Sequence, residues 1–216
     1  MTASYFHLNI CAFLSAFAQR QIASTQIAVL GEIVVACSLI CLASILILHA
    51  LPTGYNPIRN AVSDYGVGKY RVWHRVAVLS LAAAGYVLAV ASTSSVKPES
   101  DVVIGFLLVF AIARTVIPFF PTDIEGQTLT TRGRIHWALA IITFASLAFA
   151  AAYYTGTVLD DAVGWVVVVA AGLLIVSLVL QRLRIRKVLG LFERVFYLSM
   201  ICWFLVTGIE LILLAR

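Results

Sequence analysis

Apolar residues are gathered along the chain into six long runs separated by short polar connections. The runs cover residues 27–50, 71–95, 101–120, 135–156, 160–181 and 191–214. A helix needs about 20 mostly apolar residues to cross the hydrocarbon core of a bilayer, so every run is long enough. Helices joined by short connections pack as antiparallel neighbours. The pattern therefore predicts an all-α fold, a polytopic membrane protein with a six-transmembrane-helix bundle.

The first 25 residues precede these runs and have a different character. They contain the apolar stretch LNICAFLSAFA, which ends in Ala16-Phe17-Ala18 and resembles a signal-peptide cleavage site. A signal peptide begins with basic residues, yet residues 1–10 contain no Lys or Arg. We interpret residues 1–25 as an N-terminal tail with an interfacial amphipathic helix, and residues 26–216 as the transmembrane domain. Cleavage after residue 18 is the alternative.

Composition supports a membrane protein and directs attention to lipid as the partner. The 216 residues are 62% hydrophobic and 12% charged, whereas soluble domains are about half apolar and a quarter charged. The net charge of +5 is modest. In a membrane protein such a charge indicates orientation and attraction to anionic lipid headgroups, and not binding of nucleic acid.

Basic residues are distributed unevenly between the connections. Twelve of the 15 Lys and Arg residues lie in the first, third and fifth connections or at the helix ends beside them. Cytoplasmic connections of membrane proteins are enriched in Lys and Arg. The odd-numbered connections are therefore predicted to be cytoplasmic and both termini to lie outside. The basic run RLRIRK, residues 182–187, is either part of this orientation signal or a binding site for anionic headgroups.

Polar and ionisable residues are concentrated at the predicted cytoplasmic ends of the helices. Such groups are costly in a membrane, which makes them candidates for a functional site. The candidate ligand-binding residues are Asn56, Ser63, Asp64, His74, Arg114, Asp123 and His136. We expect them to form a pocket on the cytoplasmic face that binds a small polar molecule or a lipid headgroup. In the structural alternative, Asn-Pro and Gly form turns, and Asp123 fixes the connections through an ion pair with Arg114, Arg132 or Arg134.

Three histidines fall at the same predicted depth and suggest a metal site. Neutral imidazoles of His49, His74 and His136, with a carboxylate from Asp64 or Asp123, would form a ligand set that suits zinc. A zinc-bound water would make the protein a metal-dependent lipid hydrolase, with Asp64, Asp123 and Ser63 as catalytic candidates. Each ligand would come from a different element, so the alternative is that these are unliganded interfacial histidines. A haem held by His49 and His136 is a further possibility.

Two ionisable residues inside the apolar runs suggest a third kind of function. Arg114 lies in the third run and Glu210 in the sixth. Ionisable residues within membrane spans are typical of ion and proton pathways. They would suit a small-solute or proton-coupled transporter, or an accessory subunit. However, no repeat of 20–50 residues indicates the inverted repeats of many transporters.

Two polar motifs resemble those of a known family. The segment HALPTGYNPIRNAVSDYGVG and the segment FPTD, with a histidine 13 residues beyond its Asp, resemble the DUF998 family of bacterial and archaeal membrane proteins. The resemblance rests on Asn56-Pro57, Ser63, Tyr65-Gly66, Phe120–Asp123 and His136, and it covers the chain from about residue 27. It implies six spans and a multi-pass location in the bacterial inner membrane. Because the function of that family is unknown, it implies no reaction.

A looser similarity connects the polar residues with the alkaline ceramidase superfamily. Those zinc-dependent lipid amidohydrolases use Ser, Asp and three His at one membrane face. The similarity implies a lipid hydrolase, but this sequence departs from that pattern. It has six apolar runs instead of seven spans, and its last run contains no histidine.

Overall fold

The computed structural model describes residues 2–93, 100–123, 128–154, 156–183 and 188–216. These residues form six long helices: α1 Thr2–Ala50, α2 Arg71–Ser92, α3 Ser100–Val116, α4 Thr131–Tyr153, α5 Val158–Arg182 and α6 Leu189–Leu214. Each contributes to a stretch long and apolar enough to cross a membrane, from Ser24–Ala50 in α1 to Leu189–Leu214 in α6. The predicted all-α, six-span architecture is confirmed.

Several helix ends differ from the predicted boundaries for local reasons. Helix α4 begins at Thr131, before the predicted 135, because the Thr130 hydroxyl caps it by accepting a hydrogen bond from the Gly133 N–H at 3.1 Å. Helix α1 continues without a break from Thr2 to Ala50. The division at residue 25, the interfacial position of the tail and its cleavage therefore stay predictions. Residues 184–187 of the basic run lie outside the described residues, so headgroup binding there also stays a prediction.

The helices form a closed ring in chain order. Each helix packs against the next one along the chain, and α6 returns to pack against α1. Consecutive helices are neighbours, as predicted, and short connections favour their antiparallel packing. Aromatic rings fill the interior, with Phe110 of α3 5.7 Å from Phe204 of α6 between ring centroids. Large apolar side chains such as Leu39 and Ile112 remain half exposed on the outside, where they face lipid.

Buried serine hydroxyl groups in the described helices are satisfied by carbonyl groups of their own helices. The side chains of Ser38, Ser44 and Ser146 donate hydrogen bonds to main-chain carbonyls four residues earlier, at 2.7, 2.8 and 2.6 Å. In an apolar environment an unpaired hydroxyl is costly, and this local bond removes the cost without a partner on another helix. Polar residues can thus lie inside the ring without marking a binding site.

Helices α1 and α6 approach closely at a pair of glycines. A Cβ atom placed on Gly31 would lie 2.6 Å from the carbonyl oxygen of Gly208, and one on Gly208 would lie 3.1 Å from the carbonyl oxygen of Gly31. Small residues allow helix backbones in membranes to come into direct contact. This contact closes the ring.

The first connection is fastened to the start of α6 by Arg194. Its Nε donates to His49 Nε2 at 2.7 Å, and its Nη1 donates to the carbonyl oxygens of Asn60 at 2.8 Å and Gly190 at 2.9 Å. Its Nη2 donates to the Tyr65 hydroxyl at 3.1 Å, and the guanidinium lies 5.6 Å from the centroid of that ring. One planar group therefore joins α1, the first connection and α6.

Gly31→Ala should destabilise the closed ring, because its methyl group would overlap the main-chain carbonyl oxygen of Gly208 in α6. We expect the free energy of unfolding to fall by about 1–3 kcal/mol, the usual cost of overpacking. This free energy is measured by reversible unfolding of the purified protein in detergent. Gly172→Ala is the matched control, because nothing lies within 4 Å of a Cβ at Gly172. A Gly31→Ala protein as stable as the Gly172→Ala protein would contradict the proposed contact.

Arg194→Lys should loosen the first connection, although it keeps the positive charge. A lysine ammonium cannot reach the four acceptors that the guanidinium fork reaches, and we expect a loss of about 2 kcal/mol in the free energy of unfolding. Arg71→Lys, which changes an exposed arginine at the start of α2, should leave stability unchanged. Protease cleavage within residues 51–70 should also become faster in Arg194→Lys only. Equal cleavage in both variants would show that Arg194 does not hold the connection.

Candidate functional site

A small polar cavity lies among four helices and the first connection. Its volume is about 20 Å³, roughly enough for one water molecule. Its polar lining comes from the first connection, α2, α3, α4 and α6: Ser63, His74, Arg114, His136, Thr143, Glu193 and Tyr197. Four predicted site residues are therefore brought together. We call this space the inner cavity.

A wider cleft adjoins the inner cavity and has a different lining. Its volume is about 100 Å³, and it shares Ser63, His136 and Glu193 with the inner cavity. Asp64 and Asp123 also line it. Arg59, Ala61 and Thr122 line it from the connections. The wall formed by α4, α5 and α6 is largely apolar: Trp137, Ala140, Ile141, Phe144, Leu174, Leu178 and Leu189. Ile141 is 56% exposed, so this wall reaches the lipid-facing surface of the bundle.

Arg114 is buried at the inner cavity with an incomplete set of partners. It is 2% exposed, and its guanidinium lies 4.9 Å from the centroid of Tyr197 and 5.6 Å from that of Phe110. Neither Nε nor Nη2 has a hydrogen-bond partner among the described residues. The same holds for the hydroxyl of Thr143, which is 1% exposed and lines the same cavity. Buried donors are thus available at this point.

Glu193 was missed in the sequence and lies at the junction of the two spaces. It is 5% exposed, and its Oε2 accepts a hydrogen bond from the Val62 N–H at 2.7 Å. That amide belongs to the short 3-10 helix Val62–Gly66 of the first connection. The available signal was an acidic residue inside an apolar run, which marks a candidate site by default.

Asp64 and Asn56 shape the first connection. The Asp64 carboxylate accepts hydrogen bonds from the Asn60 side-chain amide and from the Ala61 N–H, both at 3.1 Å. Asn56 is exposed, and its side-chain oxygen accepts from the N–H groups of the second and third residues after it, at 2.9 and 3.2 Å. This is the turn predicted from the Asn-Pro sequence. Asp64 therefore borders the cleft, whereas Asn56 lines neither space.

Asp123 and His136 fasten the third connection to α4. The Asp123 carboxylate accepts from the N–H of Thr130 at 2.7 Å and from its hydroxyl at 2.8 Å. Within the described ranges, no arginine forms an ion pair with Asp123. His136 Nδ1 donates to the carbonyl oxygen of Phe120 at 2.7 Å. Because a carbonyl only accepts, Nδ1 carries a proton, and in the neutral ring Nε2 is the acceptor.

The three histidines are not assembled into one ligand set. His74 and His136 both line the inner cavity, but His49 lies against Arg194. His49 Nδ1 donates to the Ile45 carbonyl at 2.7 Å while Nε2 accepts from Arg194, so both ring nitrogens are engaged. In the part of the chain that the structure describes, no group of three or more His, Cys, Asp or Glu residues is arranged to hold a metal ion. The geometry therefore gives the zinc and haem hypotheses no support.

Comparison with known proteins identifies a family but no individual relative. No match was found among curated proteins or among solved structures. A family model described as a protein of unknown function, DUF998, matches residues 35–210. That range includes the second to fifth spans, most of the first and sixth spans, and every residue of the inner cavity and the cleft. The chain therefore belongs to the DUF998 family of proteins of unknown function.

Proposed function

We propose that the cleft binds an amphipathic molecule with an anionic headgroup, namely a phospholipid whose phosphate oxygen enters the inner cavity. The observation that carries this proposal is Arg114, which is 2% exposed and has two guanidinium nitrogens without a partner among the described residues. An anion at this point would supply the acceptors that the described residues do not. The inner cavity has room for about one oxygen-sized group, so the rest of the headgroup would lie in the cleft.

The energetic argument concerns an uncompensated buried charge. Moving a charged group out of water costs several kcal/mol unless a counter-charge and hydrogen bonds offset the loss. Aromatic rings beside Arg114 supply only part of that compensation, on the order of 2 kcal/mol when desolvated. A phosphate suits the remaining donors, because a guanidinium presents parallel N–H groups that match phosphate oxygens. The Thr143 hydroxyl offers one more donor in the same cavity.

The lining of the cleft favours a lipid over a small soluble anion. Its apolar wall is formed by residues of membrane-spanning helices, and Ile141 continues it to the outer surface of the bundle. An acyl chain can follow such a wall while the headgroup contacts the polar end. Glu193 and the Nε2 atom of His136 at the junction suit hydroxyl or amine donors of a headgroup. This chemistry supports lipid binding at one end of the bundle.

The carboxylates do not favour the alternative hydrolase. Asp64 and Asp123 accept hydrogen bonds from main-chain N–H groups and neighbouring side chains, through which they hold the first and third connections. A general base must be free to take a proton from water beside the substrate. The same two residues are therefore better suited to shape the cleft than to act on a bound lipid.

Arg114→Met should have opposite effects on lipid binding and on the stability of the ligand-free protein. Replacing an incompletely paired buried charge by an apolar side chain of similar length should raise the stability of the ligand-free protein by about 1–4 kcal/mol. The same change should abolish the response to an anionic lipid. We would measure thermal unfolding in detergent with dioleoylphosphatidic acid or with dioleoylglycerol, which has the same acyl chains and no phosphate. Phosphatidic acid should stabilise the unmodified protein more than dioleoylglycerol, and Arg114→Met should lose that difference.

Matched controls distinguish this site from general attraction to anionic lipid. Arg71→Met removes an exposed interfacial arginine and should keep the difference between the two lipids. Inorganic phosphate added without lipid tests for a free anion as the ligand, and we expect no stabilisation. A phosphatidic acid effect that persists in Arg114→Met would contradict the proposal. A large loss of stability in ligand-free Arg114→Met would indicate that Arg114 has a structural role instead.

A further inference from the structure

A second buried polar cluster lies at the opposite end of α5 and α6. Asp160, in the first turn of α5, is 1% exposed, and its Oδ1 accepts a hydrogen bond from the Thr207 hydroxyl of α6 at 2.9 Å. Its Oδ2 is buried and has no hydrogen-bond partner among the described residues. The carbonyl oxygen of Trp203 lies 2.8 Å from the same hydroxyl, so the single Thr207 proton is shared between two acceptors. Asp160 was not singled out in the sequence.

Glu210 completes this cluster from α6. It is 9% exposed and accepts a hydrogen bond from the Thr157 hydroxyl, just before α5. The same Thr157 hydroxyl accepts a hydrogen bond from the Asp160 N–H at 3.4 Å, so one threonine contacts both acidic residues. The charge of Glu210 also acts on the Asp160 carboxyl group. No Lys, Arg or His in the described ranges forms an ion pair with either carboxyl group. The distance from Glu193 to Glu210 along α6 is about 25 Å, so this cluster is separate from the cleft.

The other groups that face the pair do not neutralise a negative charge. Asp161 is the next residue of α5 and acts on Asp160 as a like charge. The phenol of Tyr154 faces the pair from the end of α4, and burial raises the pKa of Tyr154, which keeps it neutral. The available donors are therefore hydroxyl groups.

Two neighbouring buried carboxyl groups cannot both ionise without a large electrostatic cost. In such pairs one group keeps a proton and the two titrate as a unit. A carboxyl proton would also provide the hydrogen bond that Asp160 Oδ2 otherwise lacks. Hydroxyl donors from Thr157 and Thr207 would stabilise the single remaining negative charge.

We propose that Asp160 and Glu210 form a proton-binding site in which one proton is shared between their side chains. The proton is taken from water and returned to water, and no other bond forms or breaks. When it leaves, two negative charges remain between α5 and α6, which favours separation of the helices at this end. Both helices also border the cleft, but the residues of the proton site do not line it. The proposed proton site therefore does not depend on lipid binding.

Infrared spectroscopy of the purified full-length protein tests this site directly. Spectra at neutral and alkaline pH, in H₂O and D₂O, report the C=O absorption of protonated carboxyl groups. We expect an absorption equivalent to one protonated carboxyl per chain that disappears at alkaline pH. Asp160→Asn and Glu210→Gln should each lose this absorption at neutral pH. Asp161→Asn, which changes the exposed neighbour, should retain it.

Stability provides a second measurement on the same proteins. If the folded pair holds a proton that the unfolded chain releases, stability falls as pH rises. The midpoint of thermal unfolding should therefore drop from neutral to alkaline pH in the unmodified protein, and less in Asp160→Asn. An absorption that persists in both variants would overturn the proposal. So would its absence from the unmodified protein at neutral pH, or its loss when sodium chloride replaces choline chloride at constant pH.

Discussion

The docking of the first connection onto the start of α6 is the contact on which the polar end of the bundle depends. Gly190 makes the approach possible, because a Cβ there would lie 2.2 Å from the carbonyl oxygen of Asn60. The Leu191 N–H then donates to the carbonyl of Ile58 at 3.1 Å, and Arg194 fixes the same backbone from the next turn. Since this connection also carries Ser63, the shape of the cleft follows from that contact.

Unsatisfied polar atoms are unevenly distributed in this protein. Serine hydroxyls along the helices turn back onto their own carbonyls, but guanidinium and carboxyl groups are too large and too strongly charged to be satisfied in that way. The buried side-chain atoms without a partner in the described ranges belong to Arg114, Thr143, Asp160 and Trp203. Arg114 and Thr143 line the inner cavity, and Asp160 lies beside Glu210. Apart from the Trp203 indole N–H, the energetic cost is therefore concentrated at places where a ligand or a proton would remove it.

The sequence alone predicted the six spans. It did not predict which side chains of neighbouring helices meet at the site. The position of a residue along an apolar run predicts its depth in the membrane, because each helical residue advances about 1.5 Å along the helix axis. Depth correctly grouped His74 with His136, which line one cavity, but it also grouped them with His49, which faces Arg194. Which side chains meet depends on how each helix is rotated about its axis and on which helix closes the ring. Glu193 is recognisable in the sequence as an acidic residue in the sixth apolar run, but its contact with the first connection follows only from the packing of α6.

The hydrogen bonds of the carboxyl groups at the cleft explain why Arg114 has no ion pair among the described residues. Three carboxyl groups line the cleft, Asp64, Asp123 and Glu193, yet among the described residues none forms an ion pair with Arg114. Each accepts a hydrogen bond from a main-chain N–H of a connection or of the residue that caps α4, and the donors are Ala61, Thr130 and Val62 respectively. A carboxylate held in this way is fixed in place and cannot turn toward the guanidinium. The guanidinium would then be available to the anionic headgroup that we propose as the ligand.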